Sequence, residues 1–181
     1  MLESKKVLEQ VKAALKLEGQ PFNLDIRVGA MIEIPSAAMM AKQIAHEVDF
    51  LSIGTNDLIQ YLLAADRASP EMTGYYEPLH PAVLQTLKWV ITAARAEGKD
   101  VSICGEMAGD MAYTELLLGM GARHFSVTPG EILEIKRAVR SLSVPNAELL
   151  AAKALGLGTV QEIRHCLNKK GTQLARTGAA K

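Results

Sequence analysis

The sequence predicts an α/β protein built as half of a (β/α)8 barrel: four parallel strands, flanking helices and a helical extension at the C-terminal end. Three observations carry this. Four short apolar runs alternate with segments of helical periodicity, and strands that alternate with helices are joined by right-handed crossovers into a parallel sheet. Three of the runs lead into acidic ends, at Glu33, Asn56-Asp57 and Cys104-Gly105-Glu106, where barrel strands open towards a ligand. The chain has 181 residues, whereas a complete barrel takes about 250, and no trace of four further strands is visible.

The elements follow in order. Leu8, Val11 and Leu15 repeat at helical spacing over residues 5–18, and Gly19-Gln20-Pro21 ends that helix. Residues 28–34 form a nearly continuous apolar run, expected to be a strand buried on both faces. Pro35-Ser36 starts one helix, with Ala37, Ala41, Ile44 and Val48 along a single face. Residues 50–53 are the second strand, closed by a turn at Gly54-Thr55-Asn56-Asp57, with a short helix over 58–64. Residues 66–80, with Pro70, Gly74 and Pro78, have little periodicity and form a long loop, a length often tied to function. Pro81 opens a helix whose face is Leu84, Leu87, Ile91 and Ala94 and which ends at Gly98. Residues 101–103 are the third strand, 105–110 its loop, and a short helix then runs to Leu118, closed by Gly119 and Gly121. Residues 124–127 are the fourth strand. Thr128 and Glu131 read as a capping box, with Pro129 at the first helical position and Ile132, Ile135 and Val139 on the helix face. Two more helices are expected at 146–155, capped by Asn146, and 159–169, capped by Thr159 and Glu162. The resulting division is 1–141 for the half barrel, 142–170 for the helical extension and 171–181 for a disordered tail.

Composition narrows the partners. Hydrophobic residues make up 49% and charged residues 22%, ordinary for a globular protein. Twenty basic side chains balance twenty acidic ones, so no overall field draws the chain to nucleic acid or an anionic membrane. No apolar run approaches the roughly 18–20 residues of a membrane span. The start of the chain lacks the apolar block of a secretory signal, and two widely separated cysteines are not a disulfide framework. A cytoplasmic location is expected.

Acidic residues mark successive strand ends. Glu33 ends the first strand and Asp57 follows the second, one β/α repeat later; Ile103-Cys104-Gly105-Glu106 repeats the pattern at the third. Magnesium is commonly held by one or two carboxylates, with water and substrate phosphate completing its shell, and Glu33 with Asp57 can supply that half-set. Each carboxylate alone reads equally well as a cap on the next helix. Asn56 can donate its amide to an anionic ligand or form a local turn. Arg67 can grip a carboxylate or phosphate, or pair with Asp66 or Glu71. Cys104 can be a buried inert cysteine, or a thiol at a strand end able to give up a proton. His46, His80, His124 and His165 have no metal-ligand spacing and are read as structural or solvated, as is Cys166.

These residues together resemble a known family. The run Asp49-Phe50-Leu51-Ser52-Ile53-Gly54-Thr55-Asn56-Asp57-Leu58-Ile59-Gln60-Tyr61 is similar to the signature of the PEP-utilising enzymes. Ile32-Glu33-Ile34-Pro35, Ala65-Asp66-Arg67, Leu79-His80-Pro81 and Cys104-Gly105-Glu106-Met107-Ala108-Gly109-Asp110 fit the same family in order and spacing, over about residues 5–140. The resemblance is greatest to the Enzyme I branch of the phosphotransferase system. It implies the C-terminal half of a PEP-binding TIM barrel, with Glu33 and Asp57 as Mg²⁺ ligands. It makes Asn56, Asp57 and Arg67 the substrate-binding residues, and Cys104 the acid that protonates the enolate as pyruvate leaves. It also implies a homodimer, a phosphoryl acceptor histidine on N-terminal domains that this chain lacks, and an HPr-type carrier protein beyond them. The chain by itself is accordingly expected to be inactive. Ile59 stands where many relatives carry threonine, and the match weakens after Val127. Pyruvate phosphate dikinase and PEP synthase share the barrel chemistry, but the short 67–80 loop favours Enzyme I. A citrate- or malyl-type lyase would pair Glu and Asp on Mg²⁺ without needing Arg67 or Cys104-Gly105-Glu106. A non-catalytic oligomerisation or PEP-sensing module is the remaining alternative.

Overall fold

Four strands lie side by side in chain order, all parallel: β1 (Gly29–Ile32), β2 (Phe50–Gly54), β3 (Asp100–Cys104) and β4 (His124–Phe125). The computed structural model describes residues 2–168; the tail expected to be disordered, 171–181, falls outside them. The helices are α1 (Leu2–Leu17), α2 (Pro35–Met39), α3 (Ala41–His46), α4 (Thr55–Leu63), α5 (Pro81–Ala96), α6 (Glu106–Gly109), α7 (Met111–Met120), α8 (Ile132–Ser141) and α9 (Val144–Leu155). Residues 160–168 are also helical. The arrangement is a partial (β/α) barrel with a C-terminal helical extension, as the sequence predicts.

The core lies on one face of the sheet. Ile32, Ile53 and Ile103 are level with one another in register and fully buried. They pack into one cluster with Leu58, Leu84, Leu87, Ile91, Leu116 and Leu117 from the helices. Full burial of each such side chain contributes about 1.5–3 kcal/mol. The face of α5 is the one the periodicity predicts, and His80 Nδ1 caps it by accepting from Ala82 N–H at 3.2 Å. The helical extension joins the same core: Ala151, Ala154 and Ile163 are buried in it. Gly119 faces the Ala147 carbonyl and Ala151 so closely that any β-carbon would collide with backbone, which explains a glycine inside α7.

The strands are not buried on both faces. In β1, β2 and β3 burial alternates, and the second face carries Met31, Ser52, Ser102 and Cys104, from half-buried to exposed. Among the described residues the helices cover only the outer face, so the inner positions remain partly solvated. Other local expectations are also corrected. The helix expected from residue 35 breaks at Met40, giving α2 and α3. The turn at residues 54–57 is instead the entry to α4, which begins at Thr55. The loop at 105–110 contains the single helical turn α6. Glu131 does reach back to Thr128 N–H at 3.1 Å, but α8 starts only at Ile132. Asn146 lies inside α9, whose N-cap is Ser143. The box at Thr159 and Glu162 is complete: Glu162 N–H donates to Thr159 Oγ1 at 3.2 Å, and Thr159 N–H donates to Glu162 Oε2 at 3.1 Å.

Candidate active site

Register brings the predicted residues to one edge of the sheet. Ile32 pairs with Ile53, so Glu33 comes level with Gly54, and Gly54 pairs with Cys104. A side chain at position 54 would place its β-carbon 3.1 Å from Glu33 Cβ and 3.2 Å from its Oε2. Glycine there leaves the Glu33 carboxylate its place over the end of β2.

The ends of β2 and β3 are clamped together. Thr55, fully buried, donates from Oγ1 to the Cys104 carbonyl at 2.8 Å. Asn56 Oδ1 accepts from Glu106 N–H at 2.9 Å, and Asn56 Nδ2 donates to Glu106 Oε1 at 3.4 Å. Gly105 between them has φ +90°, and a β-carbon there would run into Thr55 Oγ1 and Asn56 Oδ1. Glycine is required on both counts. Asp57 lies in the first turn of α4, where the helix N-terminus favours a carboxylate.

The long loop supplies the cation. Ala64 takes a left-handed conformation at the end of α4 and turns the chain back towards the sheet. Arg67 then points its guanidinium at Asp57, with Nη2 3.6 Å from Oδ1. Asp66, one of the two alternative ion-pair partners for Arg67, accepts from Ala68 N–H at 2.9 Å. Tyr76 donates its hydroxyl to the Asn56 carbonyl at 3.2 Å. Burial first, and then the Glu106 carboxylate, push its phenol up to about 12, with Arg67 pulling the other way.

Cys104 sits among sulfur and hydroxyl groups on the inner face. Ser102 Oγ donates to Ser52 Oγ at 2.9 Å, and Ser52 Oγ donates to Cys104 Sγ at 3.6 Å. The thiol is 3.3 Å from the Ile53 carbonyl and 3.7 Å from Met31 Sδ. Cys166, by contrast, is buried in the last helix, away from this edge.

Glu33, Asn56, Asp57, Arg67 and Cys104 therefore share the carboxyl edge of one sheet. The histidines serve elsewhere: His80 caps α5, His46 faces Glu97 at 3.4 Å and His124 faces Asp100 at 3.7 Å. Sequence reasoning missed Tyr76 and Thr55, and gave Glu106 no partner. Nothing in a loop without periodicity marks one tyrosine over another, whereas the buried threonine is readable from the strand-end position it shares with Asn56. No group of three or more metal-binding side chains stands together among the described residues. Two carboxylates at neighbouring strand ends are an oxygen-only donor set of the kind magnesium accepts when water and substrate complete its shell. No helix of the described residues is long and apolar enough to cross a membrane.

A family model described as PEP-utilising enzyme, PEP-binding domain, matches residues 1–144. The chain is 49% identical over 161 residues to a phosphoenolpyruvate-protein phosphotransferase of Haemophilus influenzae, covering 89% of this chain and 28% of the relative. Proteins of the same name from Staphylococcus carnosus and Bacillus subtilis are 47% and 46% identical, with the same coverage. The chain thus spans just over a quarter of the length of the curated relatives it matches.

Proposed function

The chain belongs to the PEP-utilising enzymes through their PEP-binding domain, and from that premise we propose that it is the PEP- and Mg²⁺-binding part of a phosphotransferase. The reaction moves the phosphoryl group of PEP to a protein histidine and releases pyruvate. The observation that carries this reading is the meeting of Glu33, Asn56–Asp57 and Cys104–Glu106 at one sheet edge, with Arg67 turned onto it.

Glu33 and Asp57 are the residues that would hold Mg²⁺. When bound, the ion neutralises phosphate charge during transfer. Arg67 offers planar donors to the substrate's anionic groups, and Asn56 has a second amide proton beyond the one directed at Glu106. As the phosphoryl group departs, the enolate of pyruvate remains. Cys104 gives its proton to C3: the S–H bond breaks, a C3–H bond forms and the C2 oxygen becomes a carbonyl. The sulfur left behind faces the Ser52 hydroxyl, itself held by Ser102.

By resemblance to the PEP-utilising enzymes, the phosphoryl acceptor is a histidine of N-terminal domains outside this sequence. An HPr-type carrier is the next acceptor, and a homodimer is the assembly expected of the intact protein. Labelled PEP tests the reading. The intact protein should release pyruvate and carry label on a histidine, in a Mg²⁺-dependent reaction. The 181-residue chain alone should pass no label to an HPr-type carrier, and transfer by it would contradict the assignment.

A further inference from the structure

The last described helix reaches back to the site. Ile163 is fully buried and Cys166 nearly so, which sets residues 160–168 firmly into the core. From the solvent side of that helix Arg164 Nη2 meets Glu77 Oε2 at 2.7 Å, across 87 positions of sequence. Glu77 is not a loose surface carboxylate. Its side chain is only 22% exposed, and its other oxygen accepts from Leu79 N–H at 3.0 Å. Tyr113 lies within the field of both partners, which act on its phenol in opposite directions.

Glu77 follows Tyr76 directly, and Tyr76 holds the Asn56 carbonyl. The segment 66–80 contains one regular piece, the 3-10 turn Thr73–Tyr75, and the backbone–backbone bonds its N–H groups donate are short turns within the segment itself: Ser69 N–H to Asp66, Met72 N–H to Ser69, Tyr75 N–H to Met72 and His80 N–H to Glu77. We infer that Arg164 is a positioning residue. Through Glu77 it fixes the end of the 66–80 loop, and with it Tyr76 and the Asn56–Asp57 corner, so that a helix beyond the matched PEP-binding domain completes the site. The effect on substrate rests on the PEP reading above; the tether itself does not.

Hydrogen exchange of the intact protein without ligand, together with PEP kinetics, tests both parts. An exposed-to-half-buried ion pair shifts a local equilibrium by about two- to five-fold, so Arg164→Ala should speed exchange in 66–80 by about that factor while leaving β2 unchanged. The KM for PEP should rise by a similar factor, with kcat held within about twofold. Arg164→Lys should retain most of the wild-type behaviour. Arg164→Ala combined with Glu77→Gln should be no worse than Arg164→Ala alone, because the two act as one unit. Unchanged exchange in 66–80, or simple addition of the two substitutions, overturns the tether. Faster exchange with an unchanged KM overturns the positioning role. Faster exchange in Arg164→Ala, with a wild-type protein that binds no PEP, would leave the tether standing and remove the PEP reading instead.

Discussion

The two ends of the sheet handle charge in opposite ways. At the amino ends, Asp49 Oδ2 accepts from Val28 N–H at 2.6 Å, and Arg27 donates to the Asp49 carbonyl at 3.2 Å. Arg27 also stands 3.7 Å from Asp100 and 5.5 Å from the centre of the Phe50 ring, and Asp100 has His124 on its other side. Charged groups there meet partners on neighbouring strands. At the carboxyl ends, Glu33, Asp57 and Glu106 follow three neighbouring strands; Arg67 stands 3.6 Å from Asp57, and the Asn56 amide donates to Glu106 at 3.4 Å. Paired charge is what a structural end needs, and an excess of oriented acid is what a cation site needs. Barrel proteins in general place stability at the amino face and chemistry at the carboxyl face.

Substitutions at the two ends should separate accordingly. The largest effect is expected from Cys104→Ala in the intact protein, which should lower PEP turnover by about 10²–10⁴-fold, the usual worth of a general acid. PEP should still bind, as calorimetry would reveal; full turnover by this variant would break the contrast. Gly105→Ala comes next and acts on stability. A β-carbon at φ +90° pressed on Thr55 and Asn56 should cost about 2–3 kcal/mol in denaturant unfolding. An unaltered midpoint would mean that the clamp yields.

Asp100→Ala tests the other end. It should lower stability by about 0.5–1 kcal/mol and leave the KM for PEP alone, so a shifted KM would erase the distinction between the ends. The smallest effect concerns Tyr76. Its phenol titrates near 12 when folded and near 10 when unfolded. Its contribution is therefore fully present below about pH 10 and is lost as pH rises towards about 12. Tyr76→Phe should flatten this alkaline loss of stability and cost about 0.5–1.5 kcal/mol at neutral pH through the bond to Asn56. An identical alkaline limb in wild type and variant would contradict the link.

The parallel strands and their alternation with helices were legible because apolar runs and helical periodicity alternate along the chain, and buried faces such as Leu84–Leu87–Ile91 follow from spacing alone. Local boundaries were less so. Gly54-Thr55-Asn56-Asp57 has turn chemistry, yet threonine, asparagine and aspartate suit the first turn of a helix equally well, and burial of Thr55 decides for the helix. The break at Met40 falls at a residue with no glycine or proline to announce it. Alternating burial in β1 to β3 depends on what covers the inner face, which the strand sequences do not state. At the site, Glu33, Asp57 and Cys104 were legible as strand ends. For Arg67, the alternative of an ion pair with Asp66 or Glu71 gives way to Asp57 at 3.6 Å, a partner ten positions back along the chain. Tyr76 and Arg164 act through contacts far apart in sequence, and periodicity says nothing about those.

The central claim is that metal and PEP meet at the carboxyl ends of β1 and β2. Phosphorus NMR of PEP on the intact protein, with Mn²⁺ in place of Mg²⁺, tests it most directly. The PEP signal should broaden in the wild-type protein and in Asp100→Asn, and should stay sharp in Asp57→Asn and Glu33→Gln. Equal broadening in all four proteins, or none in the wild type, would contradict a metal held by Glu33 and Asp57 against the substrate.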